Sequence, residues 1–189
     1  IYWVKLNWMM PSYITGIIIA GMFINKRLLK TQLIISIAFH VLAGLQILFY
    51  IVPIKSDDTW VGWNELAIET KKLQKKYPNT FVFSNDNYKT SACLNFFMNE
   101  KVYAQNIIGL PALHFDYLKD NIASLNAKNA LFIDSDKRFK NDAKKGNQHP
   151  LLKKYFDKVI ELEPIIITIN DRKVRKFWVF YCSNYETKK

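Results

Sequence analysis

The chain has 189 residues, a net charge of +11 and 50% hydrophobic residues. Two cysteines (Cys93, Cys182) exclude a disulfide framework or a thiolate metal site, and three scattered histidines (His40, His114, His149) supply no ligand set. There is no glycine-rich phosphate loop and no internal repeat.

The charge is unevenly placed. Residues 1–56 hold five basic side chains and no acidic one; the remainder holds 22 basic against 16 acidic, a net of +6. A basic chain can serve nucleic acid. Beside long apolar runs the same charge reflects topology and contact with anionic headgroups or phosphorylated substrates, and no nucleic-acid partner is expected. The chain begins with Ile1 and reads as a piece of something longer, without the charged leader and cleavage site of a signal peptide.

Residues 1–7, IYWVKLN, form a polar-aromatic lead, and residues 8–24 a first apolar segment at the short end for a membrane span. Pro11 suits a first helical turn, and Trp3, Trp8 and Tyr13 fit an interfacial aromatic belt. Residues 25–31, NKRLLKT, read as a tight loop that Lys26, Arg27 and Lys30 place in the cytoplasm. Residues 33–54, LIISIAFHVLAGLQILFYIVPI, carry no charge. As a helix this run matches the ~30 Å hydrocarbon core of a bilayer. A core helix of a soluble protein is seldom apolar all round for so long.

Ser12, Gly16 and Ala20 on the first segment, and Ser36, His40 and Gly44 on the second, give each helix a small-residue packing face, for the other helix or for helices not in this chain. His40 and Gln46 are polar groups in hydrocarbon and are expected to face protein, His40 as a packing residue rather than a proton relay.

Beyond residue 55 the patterning is that of a water-facing domain. Asp57 and Asp58 belong to a short exit linker. Trp63, Leu66, Ala67, Thr70, Leu73 and Tyr77 follow helical spacing, and Pro78 stops that helix. TFVFS (80–84) is a strand, and Asn85-Asp86-Asn87 a turn and helix N-cap whose free N–H groups offer an anion site. A helix to about Met98, with Tyr88, Ala92 and Phe96 on one face, and a strand over 101–105 follow. After a loop around Gly109 and Pro111, the spacing of Phe115, Leu118, Ile122 and Leu125 predicts another helix. ALFID (130–134) is a strand, 135–149 a polar surface loop, and Pro150 opens a short helix. Strand-like runs over 158–162, 165–169 and 174–182 close the chain, the last two joined by a hairpin turn at Asn170-Asp171. The two cysteines are either one disulfide or two buried thiols.

The predicted architecture is therefore a membrane α-helical hairpin (residues 1–55, spans at about 8–24 and 33–54) followed by an extracytoplasmic α/β domain with a mixed sheet (56–189). That domain is large enough for its own core.

The most specific stretch is residues 5–13, KLNWMMPSY. It resembles a segment of bacterial membrane glycosyltransferases related to protein O-mannosyltransferases and to the lipid A aminoarabinose transferase. In that pattern a basic residue shortly precedes a Pro-x-Tyr that opens a late transmembrane helix; Lys5, Asn7, Pro11 and Tyr13 match it. Residues 62–77, 81–83, 85–87 and 88–97 are similar to the Trp-containing helix, Phe-Val-Phe-like strand, polar turn and Tyr-led helix of the family's C-terminal domain. The chain departs from the family in having Phe115-Asp116-Tyr117-Leu118 where a Tyr-Asp-x-Trp-like element is usual. The family's catalytic carboxylate lies in a first outer loop, many helices upstream of this region.

The resemblance implies the C-terminal part of an integral glycosyltransferase of the bacterial inner membrane, inactive alone. It would use a polyprenyl-phosphate-linked sugar as donor at the outer face, with the bilayer and upstream helices as partners and no cofactor or metal. Lys5, Asn7 and Tyr13 are then the candidates for holding the donor phosphate. The plainer reading of Lys5 is an interfacial lysine snorkelling to headgroups. The rival function is a non-enzymatic two-helix anchor presenting an α/β interaction domain.

Overall fold

The computed structural model describes residues 10–52, 61–86, 88–118, 120–136, 139 and 150–187. The chain divides into two compact units, Ile1–Ile51 and Val52–Lys189.

In the first unit, α1 (Met10–Phe23) and α2 (Lys26–Phe49) are joined by Ile24 and Asn25 alone. The expected loop over 25–31 is helical from Lys26. The reason is local: Asn25 is extended (φ −95, ψ 165) and its side-chain oxygen accepts from the Leu28 N–H at 2.9 Å. This N-cap outweighs the unfavourable placing of Lys26, Arg27 and Lys30 at the positive end of the helix dipole. Tyr50, left-handed at φ 47, closes α2 with its N–H on the Gln46 carbonyl, ahead of Pro53. The 24 residues of α2 rise about 36 Å, enough to cross a bilayer core; the 14 of α1 rise about 21 Å. His40 is satisfied within its own helix, Nδ1 lying 2.7 Å from the Ser36 carbonyl oxygen.

The second unit runs α3 (Trp63–Lys76), β1 (Thr80–Ser84), α4 (Lys89–Phe97), β2 (Val102–Tyr103), 3-10 turns at Gln105–Ile108, Leu113–Tyr117 and Ile122–Leu125, β3 (Asn129–Ser135), α5 (Leu152–Tyr155), β4 (Phe156–Glu161), β5 (Ile165–Ile169) and β6 (Arg172–Tyr185). The sheet is mixed, as expected. Its order is β2-β1-β3-β6-β4, with β5 also on β6; β2 and β3 are parallel to β1, and β6 is antiparallel to β3, β4 and β5.

β4 and β5 share one edge of β6: Glu161 lies opposite Phe180 and Ile165 opposite Phe177. Pro164 has no N–H to give the ladder, so pairing lapses there, although the Leu162 N–H still reaches the Val179 carbonyl at 2.8 Å. The predicted hairpin turn is present. Asn170 and Asp171, at φ 49 and 59 between the paired Ile169 and Arg172, form the two-residue primed turn that strand twist favours.

Two expectations are corrected. The strand over 101–105 is only Val102–Tyr103. The helix expected around 115–125 is two separate 3-10 turns. Local bonds compete with the helix here: the Asp116 carboxylate accepts from the Ala112 N–H at 2.8 Å, and the Ile122 N–H turns back to the Asp120 carbonyl.

Alternation along the strands divides the core into two layers. Phe81, Phe83, Phe132 and Phe180 point to one face, where Phe156, Tyr185, Ile107, Ile108, Leu125 and Leu152 join them. Phe83 stacks on Phe156 at 5.7 Å between centroids, and the Tyr185 hydroxyl donates to the Ile107 carbonyl. The other face seats α3 and α4, through the ring pairs Trp63–Phe177 and Tyr77–Tyr181 and the Ser84–Ser91 hydroxyl contact. Gly62 starts α3 at φ +88. A Cβ there would lie 3.0 Å from Ile167 Cγ2 and 3.3 Å from Arg175 Cδ. Gly62→Ala is therefore expected to cost about 1–3 kcal/mol of domain stability, from backbone strain and the displaced Ile167 and Arg175 side chains. Urea unfolding of the full chain followed by near-UV dichroism measures it.

Candidate functional site

Of the three phosphate-binding candidates, Lys5 and Asn7 lie outside the described residues. Tyr13 sits in the first turn of α1, 45% exposed. Side chains of α1 from Tyr13 onward and of α2 are exposed almost throughout, and a Cβ at Gly16, Gly21 or Gly44 would meet nothing within 4 Å. Gly16 and Gly44, one on each small-residue face, are thus open. α2 is long and apolar enough to cross a membrane.

In the second unit, chemistry-bearing residues gather at the carboxyl ends of β1 and β3, the end where parallel strands usually present ligands. The turn after β1 is not an empty anion site, because Asp86 fills it. Its buried carboxylate accepts from the Thr90 N–H (3.1 and 3.0 Å), the Thr90 hydroxyl (2.5 Å) and the Ser84 hydroxyl (3.1 Å). The protein's own negative charge thereby occupies the N-terminus of α4. Ser84 contacts Ser91 at 2.6 Å, and Ser91 reaches the Tyr103 carbonyl at 2.6 Å, tying β1, α4 and β2 together.

Cys93 on α4 lies within the fields of Arg175, Lys89 and Asp86. Burial pushes its thiol up, and Arg175 and Lys89 only partly oppose that. It is a thiol at neutral pH and no activated nucleophile. Cys182 lies in the core on the opposite face of the sheet, and burial raises its thiol far more. Both cysteines are free.

Sequence reasoning missed two buried cations. Arg175 (4% exposed) and Lys176 (1%) are neighbours on β6 and point to opposite faces. The Arg175 guanidinium lies 4.0 Å from the ring centroid of Trp63, and the Lys176 ammonium 3.9 Å from that of Trp178. Such desolvated cation–π contacts contribute on the order of 2 kcal/mol each. The only sequence signal was the tryptophan content, and nothing local tells a buried lysine in a strand from an exposed one.

At the opposite ends of the strands is an open groove of about 460 Å³. Gln74, Glu100, Lys101 and Lys128 are among its lining residues: the Gln74 amide donates to Glu100 at 2.9 Å, the buried Gln74 Oε1 takes no hydrogen bond, and Lys101 pairs with Asp120 beside the groove. Among the described residues no group of three or more His, Cys, Asp or Glu could hold a metal ion. No family model, curated protein or solved structure matches this chain.

The cluster at the carboxyl ends thus positions the helices and shields charge, and it presents no activated nucleophile. Alkylation of the folded protein by iodoacetamide is expected to be slow at Cys93 at pH 7.5 and to quicken only above the ordinary thiol range, because the raised pKa keeps the reactive thiolate scarce below it. Cys182 should react only after unfolding. Peptide mass spectrometry reads both sites in one sample, and fast labelling of Cys93 at pH 7.5 would contradict its protonated state.

Proposed function

We propose that the chain is the C-terminal part of an integral membrane glycosyltransferase, which moves a sugar from a polyprenyl-phosphate-linked donor to an acceptor at the outer face of a bacterial cytoplasmic membrane. The observation that carries the reading is the likeness of residues 5–13 to the family's basic residue and Pro-x-Tyr helix start. The order of parts supports it: an apolar helix of spanning length, basic only in its first turns, precedes in sequence an α/β domain whose helix, strand, turn and helix follow the order that the resemblance implies.

In this reading Lys5, Asn7 and Tyr13 gather where a lipid-linked phosphate presents its charge. Lys5 meets it as a point charge, and Asn7 and Tyr13 add hydrogen bonds. The carboxylate that activates the acceptor hydroxyl comes from upstream of this region. The small-residue faces of α1 and α2, open at Gly16 and Gly44, are the packing surfaces for upstream helices. The second reading, an anchor presenting an interaction domain, is favoured by the exposed aromatic rings of Phe96 and Tyr117.

Lys5→Ala in the full-length protein separates the two. A charge–phosphate contact of ~1.5–3 kcal/mol predicts a loss of transfer on the order of 10- to 100-fold. Lys26→Ala should leave transfer nearly unchanged, and Lys5→Arg should recover part of it. The assay is release of radiolabelled sugar from its polyprenyl phosphate in membranes with matched protein levels. Equal activity of Lys5→Ala and the parent would reduce Lys5 to a headgroup anchor.

A further inference from the structure

The groove at the amino ends of β1, β2 and β3 gathers cations that the fold leaves unpaired. It is two adjoining hollows, of about 460 and 390 Å³, that share Gln74, Asn79, Thr80 and Glu100. Lys71 and Lys75 of α3 line one hollow; Lys101, just before β2, and Lys128, just before β3, line the other. Lys101 is paired with Asp120. The side chains of Lys71, Lys75 and Lys128 have no ion pair among the described residues, and Glu100 is the one carboxylate in the lining of either hollow. Packing gains nothing from this arrangement. Lys71 and Lys75 stand one helical turn apart, where like charges repel. Lys75 lies in the last turn of α3 and complements its dipole, a role that Lys71 and Lys128 do not share.

The same wall holds an unfilled acceptor. The Gln74 amide nitrogen reaches the Glu100 carboxylate at 2.9 Å and the Thr80 carbonyl at 3.5 Å. Those two acceptors fix which way the amide points, and its buried Oε1 is left without a hydrogen bond. Buried acceptors are seldom left so. We propose that this groove binds a sugar carrying an anionic group, a phosphate or a carboxylate. Lys71, Lys75 and Lys128 meet the charge as point cations. Sugar hydroxyls supply the donors that Gln74 Oε1 and the Glu100 carboxylate accept. A hollow of this size suits a small molecule of one or two rings. A bare inorganic anion would leave both acceptors unfilled, and a neutral sugar would leave three cations uncompensated. An acidic peptide is the competing occupant; it brings charge, but its backbone has one donor per residue against several on one sugar ring.

The test uses the full chain in phosphatidylcholine nanodiscs, whose lipid carries no net charge, with empty nanodiscs as the blank. Saturation-transfer NMR reads binding of glucose 6-phosphate, glucuronate, glucose and triglutamate at about 0.15 M salt. One or both anionic sugars should receive saturation and glucose should not; which of the two responds tells phosphate from carboxylate. The double variant Lys75→Gln, Lys128→Gln should weaken that binding about tenfold. The charge-matched control Lys153→Gln, Lys158→Gln should leave it unchanged. All four lysines are exposed, so neither pair disturbs the core. Equal loss in the control would mean attraction to the whole domain, and the groove would be overturned as the site. Competition by inorganic phosphate at the same concentration as the sugar would reduce the groove to a bare anion site and overturn the sugar. Tighter binding of triglutamate than of either sugar would overturn it in favour of a peptide. Absence of saturation on both anionic sugars would overturn the proposal outright.

Discussion

The α/β domain depends on backbone pairing along both edges of β6. One edge holds β3 from Phe177 to Cys182; the other holds β4 and then β5 over nearly the whole length of the strand. A strand buried between neighbours leaves no unpaired N–H or C=O row, and it hands its side chains alternately to the two core layers. Phe180 and Cys182 enter the aromatic layer, while Phe177 and Tyr181 meet α3 through Trp63 and Tyr77. The same alternation explains the adjacent buried cations: Arg175 and Lys176 sit on opposite faces because they are consecutive, and each is tolerable because a tryptophan ring replaces part of its lost hydration.

What the sequence made legible was local. The Asn170-Asp171 turn needed only two residues that accept positive φ between two strand-like runs, and both do. α3 and β1 followed from periodicity and from Pro78. The start of α2 at Lys26 was hidden because a run of basic residues resembles a loop, whereas the Asn25 cap decides the matter through one hydrogen bond. The 3-10 turns between β2 and β3 were hidden for a similar reason: apolar spacing suggested one helix, but Asp116 and Asp120 divert the backbone into local bonds. The sharing of one β6 edge by β4 and β5 is a long-range pairing, and no local pattern encodes it.

The candidate site was legible only through resemblance. Lys5 and Asn7 fall outside the described residues, and Tyr13 by itself is an exposed side chain on α1. Physical chemistry instead removed a site that the sequence offered, the turn at residues 85–87, whose helix-terminal N–H groups are taken by Asp86.

Everything proposed about function requires the domain to face outward and the α1–α2 connection to face the cytoplasm. Sidedness is measured by placing single cysteines at Lys30 and Lys153, in a chain with Cys93 replaced by serine, and treating intact spheroplasts with a membrane-impermeant maleimide. Lys153→Cys should be labelled before lysis and Lys30→Cys only after it. Labelling of Lys30→Cys with protection of Lys153→Cys would place the domain in the cytoplasm, where no outer-face donor could reach it.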